Sequence, residues 1–196
     1  MLRELLEYEC HHESLARPWS NTATGHAAPV LDPAPSDVHI EDIAIALSRQ
    51  CRFGGHVRRD VEHYSVAQHS VIVSRVCRPE HAFIGLMHDA AEAYVQDVVR
   101  PLKRVLGSVY TRAEQAWALA IGQRFGLGDA LVVLPEDVLD ADDAALATER
   151  RDLIDHRGRD WQLRARPLQE RIHPLRGHLA YRLFMNRFEE LAGGAK

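Results

Sequence analysis

The chain has 196 residues, of which 46% are hydrophobic and 27% charged, an ordinary balance for one soluble domain with a real core. Its net charge of −4 argues against a general nucleic-acid binder. No apolar run approaches the roughly 20 residues of a membrane span, the N-terminus lacks a signal-peptide core, and Cys10, Cys51 and Cys77 lie outside any C-x-x-C spacing, so we expect a cytoplasmic protein with free thiols.

Residues 1–37 read as an N-terminal arm packing on the body. A short helix is expected at "LRELLEY", followed by an extended run punctuated by Pro18, Gly25, Pro29, Pro33 and Pro35. Trp19, Val30 and Leu31 are the apolar points with which this arm can pack. Residues 38–196 form the body, and the helical period dominates it. In "EDIAIALSRQ", Ile43 and Leu47 share a face with Ile40. "RFGGH" breaks that pattern at Gly54-Gly55. "SVAQHSVIVSRV", residues 65 to 76, is rich in β-branched residues. Yet Val66, His69, Val73 and Val76 fall on one helical face, which predicts a helix ended by Pro79. A further helix is expected from about 80 to 94, and Pro101 interrupts the segment after it. "TRAE", 111 to 114, has the pattern of a capping box opening a helix to Phe125, which "GLGD" stops. Pro135 stands at a favoured first-turn position of the next helix. The last helix is expected near 177 to 191, with Tyr181, Phe184, Met185 and Phe188 as its buried stripe. The fold class is all-α.

The chemistry concentrates in "LMHDAAEAYVQD", residues 86 to 97. Its apolar residues predict a buried helix, yet His88, Asp89, Glu92 and Asp97 lie within it. Burying such groups is costly unless they pair or hold a metal. Helical spacing puts His88, Asp89 and Glu92 toward one side. His69 lies one predicted helix earlier, and Asp142 and Asp143 lie later in the chain. Two imidazoles and two carboxylates make a mixed nitrogen and oxygen site. Such ligands suit zinc, cobalt, manganese, iron or nickel better than calcium or magnesium. Apart from His56, the remaining histidines read as surface or structural groups.

"VAQHS", "HDAAEAYVQDVVRPLK" and "ADDAALATERRDL" together resemble the HD-domain metal-dependent phosphohydrolases, and among them the 5′-deoxyribonucleotidase branch. The resemblance covers roughly residues 38 to 155. It implies an all-helical HD-domain bundle with one divalent metal held by His69, His88, Asp89 and Asp142, Asp143 being the fallback for the last. It also implies a homodimer or higher homo-oligomer. The segment before His69 commonly carries Glu in this family where this chain has Gln68. The branch's upstream Arg-Trp pair has Arg52-Phe53 as its nearest counterpart, which leaves the basis of sugar selection open. No histidine lies between Asp89 and Asp142, which favours one metal over the two of the cyclic-nucleotide phosphodiesterases. The alarmone hydrolases show an acidic pair after the His-Asp, and "HDAAEA" has only Glu92.

The expected substrate is a (deoxy)ribonucleoside 5′-monophosphate, hydrolysed to nucleoside and phosphate. Glu92 is assigned to orienting water or moving a proton, and Asp97 to the water or a sugar hydroxyl. Arg52 and Lys103 are assigned to the phosphate, with Phe53 and His56 beside them. A deoxynucleoside triphosphate triphosphohydrolase on the same core is the alternative, with Arg58, Arg59, Arg100 and Arg104 as added cations and magnesium admitted as the metal. A metal-stabilised regulatory module without turnover is the third reading.

Overall fold

The computed structural model describes residues 18–193, apart from His156, Arg159, Asp160 and Arg164. The helix expected at "LRELLEY" lies outside the described residues. The rest is mostly helical, with one two-stranded ribbon. In chain order the helices are α1 (Ile40–Arg49), α2 (Val66–Val76), α3 (Ala82–Met87), α4 (Glu92–Val95), α5 (Arg100–Leu106), α6 (Ser108–Arg124), α7 (Glu136–Leu153) and α8 (Gly177–Gly193). Among the described residues, no helix is long and apolar enough to cross a membrane.

The arm is not wholly extended. Trp19–Asn21 pairs antiparallel with Ala27–Pro29, Trp19 opposite Pro29, and Gly25 turns the chain at φ 90°. Trp19 is 60% exposed, and Val30 and Leu31 also face solvent; Ala28 and Val38 are the buried residues of this region instead. Asp42, buried in the first turn of α1, fixes the ribbon by accepting hydrogen bonds from the Thr24 amide and hydroxyl, both at 2.8 Å.

Helix α2 is the centre of the bundle and packs against α1, α3, α7 and α8. Its start is set by Ser65, whose hydroxyl accepts from the Gln68 amide. Val66, His69 and Val73 are fully buried, as the helical stripe requires, whereas Val76 at the end is 40% exposed. Close contact between α2 and α3 needs Gly85: a methyl there would stand 2.8 Å from Cys77 Sγ and 3.2 Å from Ser74 Cα. Ile43, Leu47, Leu86, Trp117, Ile121 and Phe184 fill the main core. Phe184 is the fully buried member of the expected α8 stripe; Tyr181, Met185 and Phe188 pack against the core with part of their surface exposed.

Three local expectations are corrected. The helix expected over 80 to 94 is interrupted at His88–Ala91, where Ala90, Glu92 and Ala93 donate to carbonyls three residues back. That tighter winding replaces the α-helical ladder. The "TRAE" pattern does not cap: α6 already begins at Ser108, after Gly107 at φ 66°, so Thr111 sits inside the helix and bonds the Gly107 carbonyl. Pro101 lies in the first turn of α5 rather than interrupting a helix, because its missing amide costs nothing there.

Candidate metal centre

Tight winding after α3 presents two consecutive side chains, His88 and Asp89, toward α2 and α7. The ring of His88 donates from Nδ1 to the Gly85 carbonyl at 2.8 Å. A carbonyl only accepts, so Nδ1 carries the proton and Nε2 is left with a free lone pair. His69, from α2, has its Nδ1 2.6 Å from Oε1 of Glu149. The same reasoning leaves Nε2 of His69 facing the opposite way. Among the described residues, neither buried Nε2 has a partner in hydrogen-bond geometry, although carboxylate oxygens of Asp142 and Asp89 lie close to them.

Carboxylates close the cluster. Asp142 Oδ1, from α7, stands 3.1 Å from His69 Nε2. Asp89 Oδ2 stands 3.3 Å from His88 Nε2 and 3.6 Å from His69 Nε2. One donor atom from each of His69, His88 and Asp142 lies within 4.8 Å of the others. Donors sharing one ion at about 2.0–2.2 Å stand roughly 3–3.5 Å apart, so the three can hold a divalent metal with small adjustments. Two uncapped imidazole nitrogens and a carboxylate are a donor set that fits such an ion. Asp143 is half exposed and lies 3.8 Å from Arg100; Asp142 is the one at the imidazoles.

Electrostatics agree with that fit. Burial and the Arg52 charge oppose protonation of His69, yet Glu149 and Asp142 push its pKa up to about 10. An excess of negative charge that raises an imidazole in this way also attracts a cation. Burial works against ionisation of Asp89 and Asp142 as well, but the facing imidazoles, with Arg52 at Asp89, hold both well below the usual carboxylate range.

Around the donors is a supporting layer. Glu149, fully buried, accepts from Tyr64 Oη at 2.8 Å and pairs with Arg52 at 3.0 Å. The other terminal nitrogen of Arg52 reaches Asp89 at 3.4 Å. Arg52 thus braces two carboxylates from below the cluster. Glu92 is 4% exposed. Its Oε1 accepts from Lys103, which also binds Glu114 at 2.6 Å, and its Oε2 has no partner among the described residues. Burial, with Asp89 and Asp97 nearby, pushes the Glu92 carboxyl well up despite Lys103 and Arg52. Burial raises Asp97 in the same direction. The Gln50 carboxamide spans the two, donating to the Glu92 carbonyl and accepting from the Asp97 amide.

Phe53 and His56 are placed differently from the rest. Phe53 adopts a left-handed φ of 58°, with its ring centroid 5.8 Å from that of Trp161 and 5.4 Å from the Arg52 guanidinium carbon. His56 is exposed. Sequence reasoning missed Glu149, Tyr64, Gln50 and Trp161. The available signal for Glu149 was its position two helical turns after Asp142, on the same face.

A cavity of about 240 Å³ opens on the cluster, lined by His88, Asp89 and Glu92 on one side and by Thr111, Glu114 and Gln115 of α6 on another. Leu131, Val132 and Leu134 supply its apolar wall. A larger cleft of about 910 Å³, between Arg58, His63, Asp152 and the 171–177 segment, is lined by none of the metal-donor residues.

Fold and site define a mostly helical protein with a buried His-His-Asp group able to hold a metal ion. No family model matches the chain. It is 44% identical over 159 residues to the uncharacterized protein YfdR of Escherichia coli (strain K12), covering 80% of this chain and 85% of the relative. It is 34% identical over 138 residues to the uncharacterized protein RCAP_rcc00048 of Rhodobacter capsulatus, covering 67% of this chain and 68% of that one. The chain belongs to the family that contains YfdR.

Proposed function

We propose that the protein is an HD-domain phosphohydrolase that cleaves (deoxy)ribonucleoside 5′-monophosphates to nucleoside and phosphate. The observation that carries the reading is the convergence of two buried imidazole nitrogens and Asp142, with Glu92 among the residues that line the adjoining cavity. His69, His88, Asp89 and Asp142 are the residues that would hold the metal. A divalent cation bound there supplies Lewis acidity toward phosphate oxygens and lowers the pKa of water.

The chain's own groups do the rest. Glu92 takes the proton of the attacking water on Oε2 while Lys103 holds Oε1 in place. Burial, Asp89 and Asp97 raise the pKa of Glu92, the direction that makes its carboxylate a stronger base. Asp97 orients the water or a sugar hydroxyl. Glu149 and Arg52 fix the rings and carboxylates beneath. We assign the nucleoside to the adjoining cavity of about 240 Å³, whose wall includes Leu131 and Val132.

A nucleotide panel assayed with cobalt, manganese, zinc and magnesium tests the reading. Inorganic phosphate released from monophosphates is the expected product. Intact triphosphate released from dATP would favour the triphosphohydrolase, and no release with any metal would remove the enzyme reading.

A further inference from the structure

We infer that Arg100 is the residue that takes the substrate phosphate, and that in the ligand-free protein it is held in reserve on Asp142. The inference rests on the phosphohydrolase reading above and names a residue for it. Arg100 reaches the cluster from outside. Its Nη2 donates to Asp142 Oδ2 at 2.9 Å, while Oδ1 of the same carboxylate faces His69. Its side chain is 61% exposed, so the guanidinium lies at the mouth of the centre rather than beneath it.

The neighbouring cations are already committed. Arg52 places one terminal nitrogen on Asp89 and the other on Glu149, with 11% of its side chain exposed. Lys103 is divided between Glu92 and Glu114. Asp89, Asp142 and Glu149 are three carboxylates against one buried guanidinium. A divalent cation balances that excess and leaves no surplus positive charge for a phosphate dianion. Arg100 is also paired, with Asp142 and at 3.8 Å with Asp143, but its guanidinium and Asp143 are solvated, so it is the cation of the three that can exchange partners at low cost. Its planar fork suits two phosphate oxygens at once.

None of the seven residues of α5 is buried, but Lys103 anchors the helix to Glu92 and Glu114. Rotation about the torsions of the exposed Arg100 side chain is therefore enough to move its guanidinium while α5 stays in place. The exchange makes and breaks no covalent bond: Arg100 leaves Asp142 Oδ2 and pairs with phosphate oxygens, and Asp142 keeps its place beside His69.

Inorganic phosphate titrated into manganese-loaded full-length protein, followed by calorimetry, tests this, with metal content measured on the same samples. Arg100→Ala should keep the wild-type metal content and bind phosphate about 10- to 100-fold more weakly, the range for a lost charge-assisted pair. Arg100→Lys should recover part of that loss. Undiminished phosphate affinity in Arg100→Ala, in a wild-type background that hydrolyses nucleotides, would overturn the inference and leave the enzyme reading standing. Loss of metal with normal phosphate affinity per bound metal would make Arg100 a positioning residue for Asp142, also overturning it. Wild-type protein that binds neither metal nor phosphate would overturn the reading and the inference together.

Discussion

Nδ1 of His69 lies 2.6 Å from Oε1 of Glu149, and both side chains are fully buried. Such a contact fixes the tautomer and the ring plane, and it strengthens the opposite nitrogen as a donor to metal. Glu149→Gln keeps the shape but removes the charge. It should weaken metal binding by about 10- to 100-fold, measured by competition with a chelator. Unchanged affinity would mean that Glu149 only fills space.

Arg52 links Asp89 to Glu149. Arg52→Ala leaves Glu149 buried without its guanidinium, so unfolding in denaturant should show a loss of about 3–5 kcal/mol. Arg52→Lys cannot reach both carboxylates with a fork, and its stability should fall between the two. Wild-type stability in Arg52→Ala would show that the pair is not braced as described.

How much of this was legible in the sequence depends on how local each feature is. Helix α2 was legible because its apolar stripe repeats at helical spacing; its Ser65 cap came only with the structure. His69 and His88 were legible because imidazoles are costly to bury and each sits among apolar neighbours, whereas Asp142 was preferred to Asp143 only through the family resemblance. The break at His88–Ala91 was not, since Leu86, Met87, Ala90 and Ala91 suit an α-helix and a tighter turn equally. Glu149 was hidden because it precedes Arg150 and Arg151, a run that looks like a solvated helix end. Its burial comes from Tyr64 and Arg52, which are distant in the chain. Likewise, the assignment of Arg52 to phosphate followed a motif, whereas its bonds to Asp89 and Glu149 depend on tertiary packing.

Gln68 uses both ends of its carboxamide. Nε2 donates to the His173 carbonyl and Oε1 accepts from the Leu175 amide, each at 2.9 Å. A carboxylate can do only the second. Gln68→Glu should therefore cost about 1–3 kcal/mol, the range for a buried polar group left without its partner, in urea unfolding. An equal midpoint would show that the 173–175 segment does not depend on this clamp.

Asp42 ties the β-ribbon to α1. Burial opposes its ionisation, but the Thr24 amide and hydroxyl hold its pKa below the ordinary value. A carboxylate lowered on folding stabilises the protein above its unfolded pKa, about 4, and that contribution is lost as pH falls through the lowered folded value. Asp42→Asn should cost about 1 kcal/mol at pH 7, and the gap to wild type should close below about pH 4. A gap that persists unchanged down to pH 2 would contradict this.

The division of labour between His88 and Glu92 is the central claim. His88 offers an unpartnered Nε2 to the cluster; Glu92 offers a carboxyl whose pKa is raised beside it. Elemental analysis of purified wild type, His88→Ala and Glu92→Ala, paired with their turnover rates, tests it most directly. Wild type should carry one metal per chain. His88→Ala should lose the metal, and the stability that metal binding adds to the native state. Glu92→Ala should keep both metal and fold while turnover falls by a factor on the order of 10² to 10⁴. Full metal content in His88→Ala would contradict the account, because the cluster would then be a paired polar core and not a metal centre.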